Sequence, residues 1–97
     1  MSAYARRSDK NQQEIIDALR GVGASVTSIH RVGHGIPDLL VGYRGVTYLM
    51  EVKGKDGKLT DDEQKWHDEW RGQVAVVRNA REAIQTIDPD VELLGAW

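Results

Sequence analysis

Three charged residues, Asp38, Glu51 and Lys53, border two apolar runs at positions where a strand would be expected to carry apolar side chains. The runs at 39–41 and 46–50 are rich in β-branched and aromatic residues and indicate the two strands of a hairpin. Two carboxylates form an all-oxygen ligand set, which suits a hard divalent ion such as Mg2+ or Mn2+. The residues therefore predict a metal site with a lysine cation beside it.

The loop between the two strands decides whether these side chains meet. An even-numbered loop centred on Arg44 and Gly45 places Asp38 directly opposite Glu51, with their Cβ atoms about 4.5–5.5 Å apart. Lys53 then points to the same face as Glu51, because side chains alternate along a strand. A three-residue loop would instead put Asp38 and Glu51 on opposite faces of the sheet.

The same residues also fit a purely structural role. Asp38 could cap a turn after Pro37, while Glu51 and Lys53 form an exposed ion pair on an edge strand. In the even register, by contrast, the Val52 carbonyl lies between the two charged side chains of its strand and adds a third oxygen to the pocket. The sequence alone leaves both arrangements open.

The length of 97 residues predicts one domain spanning residues 1–97. The chain contains no cysteine, so disulfides and thiolate zinc sites are excluded. No apolar run approaches the ~20 residues of a membrane span, and the N-terminal stretch lacks the apolar core of a signal peptide. These features predict a soluble cytoplasmic protein without a membrane partner.

The formal net charge is −2 and the pI is near 5.9, so the molecule as a whole does not attract nucleic acid. A polyanion would have to be held locally. A carboxylate-rich site repels phosphate when empty and attracts it once a divalent cation is bound. The mildly acidic pI is therefore compatible with a metal site that receives a phosphate group.

A first amphipathic helix is predicted ahead of the hairpin. Asp9 followed by Gln12 resembles a capping box, and the apolar helical spacing ends at the glycines of 21–23. Residues 24–32 alternate loosely and predict a first strand. Glu14 adjoins the apolar stripe of the helix, so it could reach a site at the edge of that face or be a solvated residue of the first turn.

A second helix is predicted after the hairpin. Thr60 and Glu63 form a capping box, and the helix they open is expected to run to Arg71. Gln64 lies in its first turn and could bond to Lys53 or to a substrate, or be an ordinary surface residue. The pattern thus brings a further polar side chain towards the hairpin.

The rest of the chain predicts one more strand and one more helix. The apolar run 73–77 is expected to be a central strand buried on both faces, and Asn79 begins a last helix. Trp66 and Trp70 are four residues apart and share a helix face, which we expect to pack on the sheet or on a partner chain. Stacking on nucleic-acid bases is the alternative role for this pair.

Two loops and an arginine could contact a phosphate backbone. Glycines flank His34, so the chain can approach a ligand closely there, although an ordinary polar loop residue is the favoured interpretation. The basic stretch 54–58 predicts a flexible connection, and Arg78 lies at the start of the last helix. Each of these features is also common on ordinary protein surfaces.

The order of these motifs resembles the PD-(D/E)XK nuclease superfamily, and more narrowly its VRR-NUC family in the compact stand-alone form found in viruses and bacteria. The matching residues are Gly35 to Leu40 (GIPDLL), Glu51-Val52-Lys53, Leu59-Thr60 with Gln64 and Trp66, and Val74 to Arg78 (VAVVR). This resemblance implies an α/β fold with a restriction-endonuclease-like αβββαβ core, in which a central mixed β-sheet is flanked by helices.

The resemblance also implies a metal-dependent phosphodiesterase that acts on DNA. Its metal ligands would be Asp38, Glu51 and the Val52 carbonyl, with Glu14 as a possible ligand of a second site or through water. The implied cofactor is Mg2+ or Mn2+, and no organic cofactor is expected.

Two side chains gain a catalytic role from the resemblance. Lys53 would position or polarise the attacking water, and Gln64 matches the glutamine of the helix after the triplet. A positive charge at Lys53 would stabilise the phosphate as it gains negative charge.

Stand-alone members of the family are similar to junction-resolving homodimers, whereas members fused to other domains act on flaps. The resemblance therefore favours a homodimer that cuts branched DNA such as four-way (Holliday) junctions in repair or recombination. A surface formed by Trp66, Trp70 and Trp97 is the candidate dimer contact. A flap- or end-directed nuclease is the alternative within this class, and a catalytically silent nucleic-acid-binding module is the alternative of another class.

Overall fold

The computed structural model describes the backbone of residues 3–94 and the side chains of residues 10–91. In chain order the elements are α1 (Ala3–Gly21), β1 (Ser25–Ser28), a 3-10 helix (His30–Val32), β2 (Leu39–Tyr43), β3 (Val46–Val52), α2 (Asp61–Glu69), β4 (Ala75–Val77), α3 (Ala80–Ile87) and a second 3-10 helix (Pro89–Leu94). The described strands form one sheet in the order β1-β2-β3-β4, with antiparallel pairs up to β3 and a parallel pair between β3 and β4. This is the predicted α/β fold with a mixed sheet and an αβββαβ order.

A two-residue turn joins β2 to β3 and fixes their register. Arg44 and Gly45 have φ angles of 51° and 80°, and Tyr43 pairs with Val46. Two central residues with positive φ give the turn whose twist matches that of the flanking strands. Arg44 Cζ also lies 4.9 Å from the centre of the Tyr43 ring, and Arg44 Nη2 lies 3.8 Å from Asp88 Oδ2. Both contacts favour the conformation of Arg44. The even-numbered loop predicted from the sequence is confirmed.

The hydrophobic core lies between one face of the sheet and the two helices α1 and α3. Apolar side chains at helical spacing in each helix meet inward-facing residues from the strands. Full burial of a Leu or Ile side chain stabilises the fold by about 1.5–3 kcal/mol. The buried members are Ile15, Ile16, Leu19, Ala24, Val26, Leu39, Val41, Met50, Val77, Ala83, Ile84 and Ile87.

The first helix and first strand differ in extent from the prediction. The helix begins at Ala3 instead of near Asp9, because the preceding residues include good helix formers and no Gly or Pro. The Asp9 side chain lies outside the described part. The strand ends at Ser28, and the rest of the predicted segment forms the 3-10 helix at His30–Val32.

The prediction that residues 73–77 form a central strand was wrong. In the described sheet β4 pairs with β3 alone and therefore lies at an edge. Val77 is buried against the core, whereas Ala75 and Val76 are half-buried. An apolar run of this length is thus explained by packing against the core on one face.

The second and third helices begin as predicted. The Thr60 and Glu63 side chains each accept a hydrogen bond from the other residue's backbone N–H, which is the predicted capping box. The Asn79 side chain caps α3. The second helix ends at Glu69, two residues before the predicted end at Arg71.

The two tryptophans of α2 pack on each other. The rings of Trp66 and Trp70 are stacked with centroids 4.7 Å apart, and no side chain of α2 is buried. Packing of this face on the sheet or on a partner chain stays a prediction. Trp97 lies outside the described residues, so its predicted docking is untested. In the part of the chain that is described, no helix has the length and apolar character needed to cross a membrane.

Candidate active site

Asp38 and Glu51 come together at the end of the hairpin that lies away from its turn, next to the last backbone pair, Leu39 with Met50. Asp38 directly precedes β2, and its Oδ2 accepts a hydrogen bond from the Val52 backbone N–H at 2.8 Å. Glu51 is only 2% exposed and lies on an interior strand of the sheet. These contacts exclude the alternative in which Asp38 only caps a turn and Glu51 forms an exposed pair on an edge strand.

The Glu51 carboxyl group is held in an unfavourable environment for a negative charge. Burial is the largest effect, followed by a hydrogen bond to Asp38 and the charges of Asp38 and Glu63, and together they raise the pKa of Glu51 to about 9 although Lys53 opposes them. Its Oε1 is buried and has no hydrogen-bond partner among the described residues. An unpaired buried polar atom is costly. A cation bound at this oxygen would remove that cost.

The oxygen atoms around Glu51 fit a hard divalent cation. Asp38 and Glu51 supply two carboxylates, and Val52 lines the same cavity, so its carbonyl stays a predicted ligand. Among residues 10–91 there is no group of three or more His, Cys, Asp or Glu side chains arranged to hold a metal. Water would therefore complete the coordination, and Mg2+ commonly keeps several of its waters in proteins.

Lys53 lies beside Glu51, as the alternation along β3 predicts. Its Nζ is 3.6 Å from Glu51 Oε2 and 2.7 Å from Glu63 Oε1. Burial acts to lower the pKa of Lys53, but the hydrogen bond and charge of Glu63 and the charge of Glu51 outweigh it and raise the pKa above its usual range. Lys53 is therefore a positively charged ammonium group that its contact with Glu63 keeps in place.

These residues face an open cavity of about 930 Å³. Its walls come from α1, the first 3-10 helix, the loop after β3, the first turn of α2 and the residue after β4. Besides Asp38, Glu51, Val52 and Lys53, the cavity is lined by Asn11, Gln12, His30, Gly54, Lys55, Asp56, Gly57, Glu63 and Arg78.

Two predicted site residues do not line this cavity. Glu14 is exposed, about one turn further along α1 than Asn11. Gln64 is also exposed, and its amide donates a hydrogen bond to Asp68 at 2.9 Å. The contact with Lys53 that was considered for Gln64 is made by Glu63 instead, since neighbouring residues point about 100° apart around a helix.

Sequence reasoning missed Asn11 and did not foresee the backbone contacts of Arg78, and both shape the cavity. Asn11 donates hydrogen bonds to the carbonyls of Lys53 and Arg78 at 3.2 and 3.3 Å, which ties α1 to the ends of β3 and β4. Arg78 Nη1 donates to the carbonyls of Gly54 and Gly57, each at 2.7 Å. The loop predicted to be flexible is therefore held by the arginine that was expected at a phosphate. Nothing in the spacing of these residues signals such long-range backbone contacts.

Of the two histidines in the loop region, it is His30 that lines the cavity. Its Nδ1 lies 2.8 Å from Ser28 Oγ, which donates in turn to Gln12 Oε1 at 3.4 Å. His34, which was considered for substrate binding, lies beside a separate cavity of about 240 Å³ that Trp66 also lines. A lone histidine at a strand end has no spacing signature, so the sequence did not single out His30.

The mixed sheet, its flanking helices and the cluster of Asp38, Glu51 and Lys53 define a restriction-endonuclease-like α/β domain. Among solved structures, the chain is similar to one described as a VRR_NUC domain, with a TM-score of 0.66 and 25% sequence identity over 88% of this chain and 94% of that one. No family model and no curated protein matches. The structural match supports the VRR-NUC family for this chain, in agreement with the sequence motifs, and with it a nuclease domain.

Proposed function

We propose that this protein is a Mg2+- or Mn2+-dependent endonuclease that hydrolyses phosphodiester bonds in branched DNA. The observation that carries the proposal is the buried Glu51 carboxylate, which has an unpaired oxygen and lies next to Asp38 at the wall of an open cavity. A folded protein gains nothing from such a group unless a cation or a substrate uses it.

The side chains around the cavity have separable roles in this reaction. A bound Mg2+ or Mn2+ supplies Lewis-acid polarisation of the phosphoryl oxygen and lowers the pKa of water. Asp38 and Glu51 hold that ion, with the Val52 carbonyl as the third protein ligand. Lys53 keeps its positive charge next to the reacting phosphate, where negative charge develops during hydrolysis.

The rim of the cavity suits the backbone of a nucleic acid. His30 and Lys55 provide donors on two of its walls, and Lys58 is an exposed cation of the adjoining loop. Contacts of this kind orient a phosphate backbone without reading its sequence. The protein is therefore expected to select DNA by shape more than by base sequence.

The preference for branched DNA and the homodimer rest on the similarity to stand-alone VRR-NUC proteins. A homodimer with two active sites can cut a four-way junction symmetrically. The face of α2 with the Trp66 and Trp70 stack is the candidate contact, since Trp70 is 42% exposed.

Cleavage assays test the proposal directly. Labelled linear, flap and four-way DNA would be incubated with the protein in Mg2+, Mn2+, Ca2+ or a chelator. We expect cleavage of a branched substrate with Mg2+ or Mn2+ only. Absence of cleavage in every condition would favour a catalytically silent binding module, and a monomer at all concentrations in sedimentation would remove symmetric cutting.

A further inference from the structure

A single carboxylate oxygen links the cap of α2 to the lysine of the candidate active site. Glu63 Oε1 lies 2.7 Å from Lys53 Nζ and accepts a hydrogen bond from the Thr60 backbone N–H at 2.8 Å. The Glu63 backbone N–H is bonded in turn to Thr60 Oγ1. Glu63 is therefore fixed at both its backbone and its side chain before it meets the lysine.

The turn of helix that carries Glu63 is itself held in place. Gly35 has a φ of 80°, and a Cβ atom at this position would collide with the Asp62 carbonyl. This close approach seats the loop before β2 directly against the first turn of α2. The carboxylate thus extends from a rigid support, which is the condition for positioning another group accurately.

The backbone of Lys53 is equally constrained. Its N–H donates to the Val77 carbonyl at 3.1 Å, and its carbonyl accepts from Asn11. The freedom that remains lies in the Lys53 side chain, whose ammonium group is within reach of two carboxylates. Glu63 lies at 2.7 Å and Glu51 at 3.6 Å, so Glu63 makes the shorter contact.

We propose that Glu63 is a positioning residue for Lys53: it holds the ammonium group at the cavity wall and prevents it from closing onto Glu51. Without Glu63, Glu51 would be the nearest acid, and the lysine would neutralise the oxygens needed for the metal ion. This role rests on the proposed function, because it matters for catalysis only if Lys53 acts on a phosphate.

The variant Glu63→Gln tests the role without breaking the helix cap. A glutamine at this position also accepts the hydrogen bond of a capping box, so the fold is expected to persist. Asp61→Asn is the matched control, since it removes the same charge from the same helical turn at an exposed position. Thermal unfolding of both variants verifies that they fold.

The first readout needs neither metal nor DNA. In protein with 15N-labelled lysine, we expect the Lys53 ammonium hydrogens to exchange with water about tenfold more slowly than those of the exposed Lys55, because they are held in charged hydrogen bonds. In Glu63→Gln we expect the Lys53 ammonium 15N resonance to move, because its partner changes from Glu63 to Glu51, whereas Asp61→Asn should leave the resonance in place. An unchanged Lys53 ammonium resonance in Glu63→Gln would overturn the proposal.

The second readout is the division of the kinetic effect between kcat and KM. We expect Glu63→Gln to lower kcat roughly tenfold with little change in KM, because a misplaced catalytic group affects the reaction more than binding. A wild-type kcat in this variant would overturn the positioning role while leaving the proposed function intact. If the wild-type protein cuts no DNA, the proposed function fails, and the Lys53 ammonium resonance still decides whether Glu63 holds Lys53.

Discussion

The Asp38 carboxylate accepts a hydrogen bond from the Val52 backbone N–H at 2.8 Å, just beyond Leu39 and Met50, the last backbone pair of the hairpin. This contact places Asp38 beside Glu51 at the cavity wall. It also means that Asp38 has a structural and an electrostatic role, which a conservative substitution can separate.

Asp38→Asn should lose activity while remaining folded. The amide oxygen of asparagine can still accept from Val52, but the negative charge that we propose binds a divalent ion is gone. We expect cleavage to fall by about 100-fold or more, with a Tm within a few degrees of wild type. The exposed Asp90 offers the control Asp90→Asn, and equal loss of activity in both variants would contradict the assignment.

The stability of the metal-free protein should depend on the ionisation of Glu51. Its pKa in the folded state is about 9, above the ordinary value of 4.5. A raised pKa means that the folded state binds the proton more tightly, so this stabilisation is complete below pH 4.5 and is lost as the pH rises towards 9. Glu51→Gln should therefore be more stable than wild type at pH 8 in the presence of a chelator.

Urea denaturation between pH 5 and 8.5 measures this difference. The gain should be of the order of a few kcal/mol, since each pKa unit corresponds to about 1.4 kcal/mol. The pKa of Glu63 is lowered because the hydrogen bonds from Lys53 and Thr60 outweigh the opposing effect of burial, so its own stability loss occurs at more acidic pH and does not interfere. Adding Mg2+ should stabilise wild type and not Glu51→Gln; a parallel pH dependence of the two proteins would contradict the prediction.

Lys53→Ala should retain the metal site and lose the reaction. We expect kcat to fall by about 100-fold or more, because the substitution removes the positive charge proposed to stabilise the negative charge that develops on the phosphate. Lys65→Ala removes an exposed lysine from α2 and is the comparison. Mn2+ binding by calorimetry should persist in both variants, and wild-type turnover in Lys53→Ala would mean that the lysine has another role.

How far the sequence determines this site is clear from two pairs of residues. The sequence offered the pairing of Asp38 with Glu51 as one of two arrangements. The two-residue turn at Arg44 and Gly45 selects this pairing, because side chains alternate along the strands. Glu63 and its neighbour Gln64 could not be told apart in the same way. Which side of α2 faces the cavity depends on how the helix docks on the rest of the fold. That docking involves the close approach of Gly35 to the Asp62 carbonyl.

The edge position of β4 illustrates the same limit. The apolar run before Arg78 predicted burial on both faces, although apolar residues alone do not distinguish this from burial on one face. Which one occurs depends on the pairing with β3 and on the helices that pack on the sheet, and both are tertiary contacts. Asn11 and the carbonyl contacts of Arg78 were missed for this reason, since these side chains bond to backbone carbonyls far away in the chain.

Gly35→Ala should show how strongly the loop supports α2. The substitution adds both backbone strain at positive φ and a collision with the Asp62 carbonyl, whereas Gly33→Ala adds strain alone because nothing lies within 4 Å of its Cβ. Strain of this kind is worth about 1–3 kcal/mol. Urea denaturation should therefore show a larger loss for Gly35→Ala, and an equal loss in the two variants would rule out the collision.

His30→Ala should weaken the handling of DNA without removing the metal site. The imidazole lies on the cavity wall with Nδ1 2.8 Å from Ser28 Oγ, so its ring is oriented before any substrate arrives. Loss of one such contact is worth about 1 kcal/mol, and we expect KM for the cleaved DNA to rise roughly fivefold. His34→Ala is the matched control, because His34 lies at the separate cavity beside Trp66. A rise in KM in the control, with none in His30→Ala, would move the DNA path to the other side of α2.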